Sequence, residues 1–271
     1  MYRLQKQAWI AALAFACLLW TGQSYADDED DLAKKLSNPV ASLISVPFQY
    51  NYDGRMGPLH DGSRMTLNIQ PVVPISLNNE WNLISRTVVP LIRQVNIGLN
   101  TGEQAGLGDI EQSFLLSPAK PGDSGIIWGV GPVLMLPTGT DKLLTQHQWG
   151  AGPTAVVLKQ FGGWTIGVFG NHIWSYANTV TYAPSVNQTF FQPFISYTTA
   201  DKWTFGLNAE STYDWQRKDW TLPINASVGK LLKLGSQPIS LTFGLRYYAA
   251  SPYSGPKGLG ARVQLVFLFP E

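Results

Sequence analysis

The chain has 271 residues, a formal net charge of +1, and only 14% charged residues. Soluble domains carry roughly 25% charged residues, so the composition favours a protein that exposes little polar surface to water. The small net charge gives no basis for a nucleic-acid partner. Glycine (26 residues) and aromatic side chains (12%) are abundant, which is compatible with strands and turns.

The first 26 residues are predicted to be a secretory signal peptide. Two basic residues precede an apolar run at 8–20, and residues 24–26 resemble an A-x-A cleavage site. The run is shorter than the ~20 residues that span a bilayer as a helix, so a transmembrane anchor is the less favoured alternative. Cleavage would start the mature chain near Asp27 and remove Cys17, the only cysteine, which excludes disulfides and cysteine nucleophiles.

Residues 27–42 are predicted to form an N-terminal periplasmic arm or a plug. An acidic run at 27–31 precedes one or two helical turns, which Asn38-Pro39 ends. The acidic run is typical of a solvated tail, and a calcium site is the minor alternative.

Residues 43–271 predict an all-β fold: a transmembrane antiparallel up-and-down β-barrel of about twelve strands. In the last strand, 259–269, one face is apolar throughout, whereas Gly260, Arg262 and Gln264 begin the other face, because successive side chains of a strand alternate. Such alternation over about ten residues is typical of transmembrane β-strands. The other strands are predicted at about 44–52, 64–77, 81–92, 109–118, 126–137, 149–159, 164–174, 188–199, 203–214, 220–229 and 238–249. The alternation is least clear in 109–118 and 149–159.

Short and long connections alternate along the chain. Turns such as Asn78–Glu80 and Phe161–Gly163 follow the even strands, and longer loops such as 53–63 and 93–108 follow most of the odd ones. Outer-membrane barrels have short periplasmic turns and longer extracellular loops. We therefore expect a monomer in the cell outer membrane, in contact with outer-membrane lipid.

Aromatic residues mark both ends of the predicted strands. Indole rings prefer the membrane interface, so the tryptophans beside turns and beside loops predict two aromatic girdles. These are Trp81, Trp164 and Trp203 after short turns, and Trp149, Trp174 and Trp220 beside long loops. Phe267 and Phe269 end the last strand and are the predicted assembly signal for the outer-membrane assembly machinery.

Prolines inside predicted strands are unusual, because each removes a hydrogen-bond donor that lipid cannot replace. They are Pro47, Pro71, Pro74, Pro90, Pro132, Pro153, Pro193 and Pro223. Bulges at the rim are the favoured interpretation. The alternative is a break in the wall through which a hydrophobic solute passes sideways.

The segment Leu36-Ser37-Asn38-Pro39-Val40-Ala41-Ser42-Leu43-Ile44-Ser45-Val46-Pro47-Phe48-Gln49 resembles the family named for the meta-pathway of phenol degradation, whose members are often mislabelled neuromedin U. The similarity extends through Gly106–Asp109, Leu136–Thr140 and the last strand. The resemblance implies an outer-membrane β-barrel involved in moving small molecules. It supplies no functional residues.

The sequence predicts neither a catalytic site nor a bound cofactor or metal. Of three histidines, His172 lies near a strand end close to Ser175, but pairing across the preceding turn places it near Ala151, so we expect a girdle or loop-contact residue. The series from Gly102 to Gly108 lacks the lysine of a phosphate-binding loop, and we expect a flexible loop.

Five charged residues at similar heights are candidates for a constriction in the barrel lumen: Arg86, Glu111, Glu210, Arg246 and Arg262. They predict a ring that either selects solutes or holds the barrel shut. Twelve strands should enclose a narrow passage or one blocked by a loop or by the arm. The predicted function is therefore a channel-like or transporter-like barrel for small, hydrophobic or aromatic molecules. The alternatives are an outer-membrane lipid hydrolase and a non-conducting structural barrel.

Overall fold

The computed structural model describes residues 32–181 and 183–270. The predicted signal peptide, the acidic run at 27–31 and the last residue lie outside the described residues. Within the described part, a short helical segment covers 32–36, and no helix is long and apolar enough to cross a membrane.

The described part of residues 44–269 contains fifteen β-segments, joined by turns and loops. They are β1 (Ile44–Met56), β2 (Gly62–Ile69), β3 (Val72–Ser76), β4 (Trp81–Val95), β5 (Glu103–Leu107), β6 (Ile110–Pro118), β7 (Ile126–Leu136), β8 (Gln148–Phe161), β9 (Trp164–Asn178), β10 (Asn187–Thr198), β11 (Trp203–Ala209), β12 (Ser211–Asp214), β13 (Asp219–Leu234), β14 (Gln237–Ala250) and β15 (Gly258–Phe269).

These segments form twelve antiparallel strands of one closed barrel. The pairs β2/β3, β5/β6 and β11/β12 are each one interrupted strand, since both members pair with the same neighbour, β4 for the first two and β13 for the third. The barrel closes where β1 pairs with β15, from Ile44–Phe269 to Tyr52–Ala261. The predicted all-β barrel and its strand number are confirmed.

Side chains alternate between an apolar outer face and a lumenal face. In β1, Tyr50 and Tyr52 are about 40% exposed, whereas Asn51 between them is 4% exposed. In β15, Val263 is 37% exposed and its neighbour Arg262 is 7% exposed. The alternation used to predict the strands therefore reports two real environments, with the polar residues inside.

We call the end of the barrel with the short turns the lower end. There the lumen wall is apolar where the N-terminal segment 32–43 covers it. Val40 packs against Leu115 of β6 and against Val156 and Leu158 of β8, and all four side chains are at most 5% exposed. These two strands are the ones in which alternation was least clear. Both of their faces are apolar there, because lipid would cover the outer one and the segment covers the inner one.

The interruptions of two strands lie opposite prolines. Pro90 of β4 faces the break between β5 and β6, and Pro223 of β13 faces the break between β11 and β12. A proline has no N–H to donate to a neighbouring strand, so the regular ladder stops. Its carbonyl still accepts a backbone hydrogen bond, from Gly108 (2.8 Å) and Glu210 (3.1 Å) respectively.

The favoured prediction placed the prolines in bulges at the rim, but several of them lie within the wall. Pro71 lies in the break between β2 and β3, and Pro132 pairs with Pro153 within the wall. Gly131 and Gly152 precede those two prolines, and a Cβ at either glycine would clash with a backbone carbonyl oxygen of the next strand. Close backbone approach at these points keeps the neighbouring strands together.

Candidate functional site

Three of the five predicted constriction residues form one network on the lumen wall. Arg262 donates two hydrogen bonds to the Glu210 carboxylate, at 2.7 and 2.8 Å. A second arginine, Arg246, lies 3.6 Å from the same carboxylate. Glu210, between β11 and β12, thus reaches Arg262 of β15, three strands away in the barrel. The Arg262–Glu210 pair is bidentate, the strongest geometry for such a pair.

Two residues of β1 complete the network. The side-chain oxygen of Asn51 accepts hydrogen bonds from both Arg262 (2.7 Å) and Arg246 (2.8 Å). Asp53 accepts a 2.7 Å hydrogen bond from the Tyr248 hydroxyl and lies 3.4 Å from the Arg246 guanidinium. Within this network two arginines are therefore balanced by two carboxylates.

The other two predicted residues, Arg86 and Glu111, make no direct contact with the network, although Arg86 lines both cavities together with Glu210 and interacts with its charge. Arg86 donates a 2.9 Å hydrogen bond to the Gln70 side chain, and its guanidinium lies 5.3 Å from the centre of the Phe169 ring. Within the described residues, no hydrogen bond or ion pair involves the Glu111 carboxylate. The five charged residues therefore do not form the expected ring. Three of them belong to one network, and the other two make no direct contact with it.

Sequence reasoning missed Asp53 and Tyr248. The predicted first strand ended at Tyr52, so Asp53 was assigned to a loop, although β1 continues to Met56. Both residues stand two positions from a predicted lumenal residue, Asn51 or Arg246. One further step of the alternation would have placed Asp53 in the lumen, whereas Tyr248 already lay on the lumenal face of the predicted strand 238–249 and was overlooked.

Two cavities lie one above the other in the lumen. The lower has a volume of about 320 Å³ and the upper about 380 Å³. Five residues line both cavities and form the waist between them: Gln49, Arg86, Phe169, Gln192 and Glu210. Glu111 lines only the upper cavity, Arg262 only the lower, and Arg246 neither. The waist is polar except for one aromatic ring.

The N-terminal segment borders the lower cavity. Leu36 and Pro39 contribute to its lining, and Leu32 and Ala33 pack against lumenal side chains of β13 and β15. Two hydrogen bonds fix the segment further, from Gln160 to the Lys34 carbonyl (2.9 Å) and from the Asn82 amide to the Ser42 hydroxyl (3.1 Å). Solute that entered from this end would have to pass the segment.

At the opposite end, the loop between β7 and β8 is fastened to the interrupted strand β5/β6. The Asp109 carboxylate accepts backbone hydrogen bonds from Gly139 (3.1 Å) and Gln146 (2.6 Å). The Thr140 hydroxyl accepts a hydrogen bond from the Leu107 N–H (3.0 Å), and a Cβ on Gly106 would clash with it. The prediction of a flexible loop from Gly102 to Gly108 was wrong, since β5 spans Glu103–Leu107 and its glycine makes room for the fastened loop.

His172 and Ser175 lie on opposite faces of β9. The His172 ring stacks on Trp174 of the outer face, with 3.9 Å between ring centres, and its Nδ1 lies 2.7 Å from the Thr189 hydroxyl. Ser175, three positions further along the strand, accepts a hydrogen bond from the Val186 N–H. The expected pairing near Ala151 was two positions off, because Ala151 pairs with Trp174. Ser175 also lies within β9 and not beyond its end.

The six predicted girdle tryptophans lie on the outer face in two bands. Trp81 contacts Trp128, Trp164 contacts Tyr197, and the Lys230 ammonium lies over the Trp203 ring, all near the short turns. Trp149, Trp174 and Trp220, near the loops, are 41–49% exposed. Phe267 packs edge-on against Phe48 across the closure, and Phe269 is 43% exposed.

Comparison with solved structures identifies a similar barrel. An outer membrane channel from Pseudomonas putida F1 superposes with a TM-score of 0.66 at 15% sequence identity, over 84% of this chain and 96% of that one. The chain has the fold of an outer-membrane β-barrel. Two other barrels are less similar. The KdgM porin has a TM-score of 0.47 at 12% identity, over 83% of this chain and 99% of that one. Outer membrane phospholipase A from Escherichia coli has a TM-score of 0.45 at 11% identity, over 84% of this chain and 98% of that one. No family model and no curated protein matches the sequence.

Proposed function

We propose that this protein is an outer-membrane channel that passes small molecules through the lumen of its barrel. The observation that carries the proposal is the pair of stacked cavities joined at a waist that polar side chains and one phenylalanine line. Side chains fill the interior of a barrel of about eight strands, whereas the lumen of these twelve strands keeps two cavities with a largely polar lining. The same fold in an outer membrane channel supports the proposal.

The proposal places the barrel in the cell outer membrane, with lipid around its apolar face and the two tryptophan bands at the interfaces. The resemblance to the family of the meta-pathway of phenol degradation agrees with this assignment. Export by the signal peptide, insertion by the outer-membrane assembly machinery and a monomeric state belong to the same proposal.

Within the channel, the Arg262–Glu210–Arg246 network is the proposed fixed side of the constriction. Its positive and negative charges compensate one another, so the network shapes the passage more than it attracts a charged solute. Segment 32–43 is the proposed periplasmic plug. Its apolar contacts with the lumen wall imply that the passage is narrow or closed while the segment is docked.

Single-channel recording in planar bilayers tests the proposal. The wild-type mature chain should give small, discrete conductance steps. Arg262→Ala removes one side of the constriction and should enlarge the steps, whereas Arg93→Ala, at an exposed ion pair with Glu103, should leave them unchanged. Heat-modifiable migration shows whether the barrel is folded. A folded barrel that never conducts, either as the wild type or with segment 32–43 displaced from the lumen, would contradict the channel and support a structural barrel.

A lipid hydrolase is the second candidate, and one contact favours it. The Thr189 hydroxyl lies 2.7 Å from the His172 ring on the outer wall, as a nucleophile and its base would. The other ring nitrogen, Nε2, is buried without a partner in the described structure, so no third group orients the base. Trp215 also donates to the same hydroxyl at 2.8 Å. We expect no phospholipid hydrolysis; activity that disappears in Thr189→Val would establish the hydrolase.

A further inference from the structure

The upper lumen cavity is lined by one positive and one negative side chain, Arg86 and Glu111, that form no direct ion pair in the described structure. Three carboxylates line this cavity: Asp109, Glu111 and Glu210. Asp109 accepts two backbone N–H groups, and Glu210 is bound by arginines. In the described part of the chain, Glu111 alone among the three has no such partner.

Arg86 is the matching cation. In the described structure it donates one hydrogen bond, to the neutral Gln70 amide, through one of its five N–H groups. Of the other lumenal arginines described above, Arg262 and Arg246 both contact Glu210. Arg86 therefore lines the cavity with N–H donors that no carboxylate accepts by a direct hydrogen bond, while the charges of Glu111 and Glu210 act on it from a distance.

Arg86 and Glu111 lie on neighbouring strands but do not form an ion pair. Arg86 is paired with Ser113, and Glu111 with Val88, so the two charged residues are diagonal neighbours on the same lumenal face. Diagonal positions place Cβ atoms roughly 7–8 Å apart. A small molecule could contact both groups at once, with a negative group on Arg86 and a positive group on Glu111.

The remaining lining sets the character of such a molecule between its charges. Phe169 and Phe190 meet edge to face, with 6.1 Å between ring centres, and Ile173 lies beside them on the cavity wall. The cavity volume of about 380 Å³ is at the small end of the range for ligand pockets. The site therefore combines two opposite charges with an apolar surface in a space suited to a single small solute.

We propose that the upper cavity binds a small zwitterion with an apolar side chain, of the size of an amino acid. Arg86 binds its carboxylate, Glu111 binds its ammonium group, and the phenylalanine rings contact its apolar part. The inference rests on the proposed channel function and names its solute class. Opposite charges on the wall disfavour a simple anion or a simple cation, because each would leave one buried charge uncompensated.

Three probes of nearly equal shape test the site: L-phenylalanine, 3-phenylpropionate, which lacks the ammonium group, and 2-phenylethylamine, which lacks the carboxylate. Calorimetry on the detergent-solubilised mature chain should give at least tenfold tighter binding for phenylalanine than for either analogue. Arg86→Gln should remove the advantage over phenylethylamine. Glu111→Gln should remove the advantage over phenylpropionate. Glu103→Gln, exposed at the rim, should change neither.

The outcomes separate this inference from the channel proposal. Equal binding of phenylalanine and phenylpropionate, or binding of none of the three by a folded barrel, overturns the zwitterion site whether or not the barrel conducts. Selective binding of phenylalanine by a barrel that does not conduct supports the site and overturns the channel. The wild-type comparison needs no variant, so a folding defect in Arg86→Gln does not spare the inference.

Discussion

The N-terminal plug offers the sharpest test of how the passage is controlled. Val40 is 5% exposed and belongs to one apolar cluster with Ile84, Leu115 and Phe169, each at most 5% exposed. Val40→Asp removes about 1.5–3 kcal/mol of apolar burial and adds several kcal/mol for placing a carboxylate in an apolar site. A total of about 5 kcal/mol lowers the docking equilibrium by more than a thousandfold, since about 1.4 kcal/mol is tenfold. Val40→Ala, at about 2 kcal/mol, should lower it only some thirtyfold.

Two measurements on the same preparation follow the plug. Trypsin should cleave after Lys34 or Lys35 much faster in Val40→Asp than in the wild type, and single-channel conductance should rise in parallel, with Val40→Ala between the two. Gly122→Asp is the matched control, because it adds a carboxylate in an open turn at the same barrel end, where a Cβ meets nothing within 4 Å. Rapid cleavage with unchanged conductance would refute the argument, since release of the segment would then leave the passage as it was.

Three further predictions concern the barrel itself. Arg262→Ala should lower the free energy of unfolding, measured in denaturant, by about 3–5 kcal/mol, because Glu210 keeps a buried charge; Arg262→Gln combined with Glu210→Gln should recover part of this, and no recovery would show that the pair is not the cause. Gly152→Ala should abolish the folded form seen by heat-modifiable migration, because its Cβ would clash with a backbone oxygen, while Gly122→Ala should fold normally. Phe269→Ser should reduce barrel yield in cells far more than loss of the last residue, and equal yields would remove Phe269 as the assembly signal.

The strands could be predicted from sequence because lipid and lumen impose opposite preferences on alternate residues. The pattern was clear in β14, where outward Phe243 and Leu245 are 48% and 62% exposed and Arg246 is 7% exposed. It failed wherever a third surface intervened. Leu115 and Val156 face the lumen and would be polar in an empty pore, but segment 32–43 covers them, and no local pattern announces a contact with residues so distant in sequence.

The lumen site was predictable as a set of residues but not as a set of pairs. Height along a strand identified Arg86, Glu111, Glu210, Arg246 and Arg262 as neighbours, and three of them meet. Which charges pair depends on how far a side chain reaches across the lumen. Glu210 and Arg262 lie on strands that are three apart in the barrel, and their proximity is visible only once the strand order and register are known.

The fastened outer loop has a consequence for how such a protein can change over generations. Thr140 occupies the space that Gly106 leaves free, and the Asp109 carboxylate binds two N–H groups of the loop that contains Thr140. A larger residue at 106 is tolerable only with a smaller one at 140, and a loop of different length misplaces both N–H groups. Surface loops usually vary freely in length and sequence. In this loop, a change of length or sequence requires a matching change in a strand more than thirty residues away in the chain.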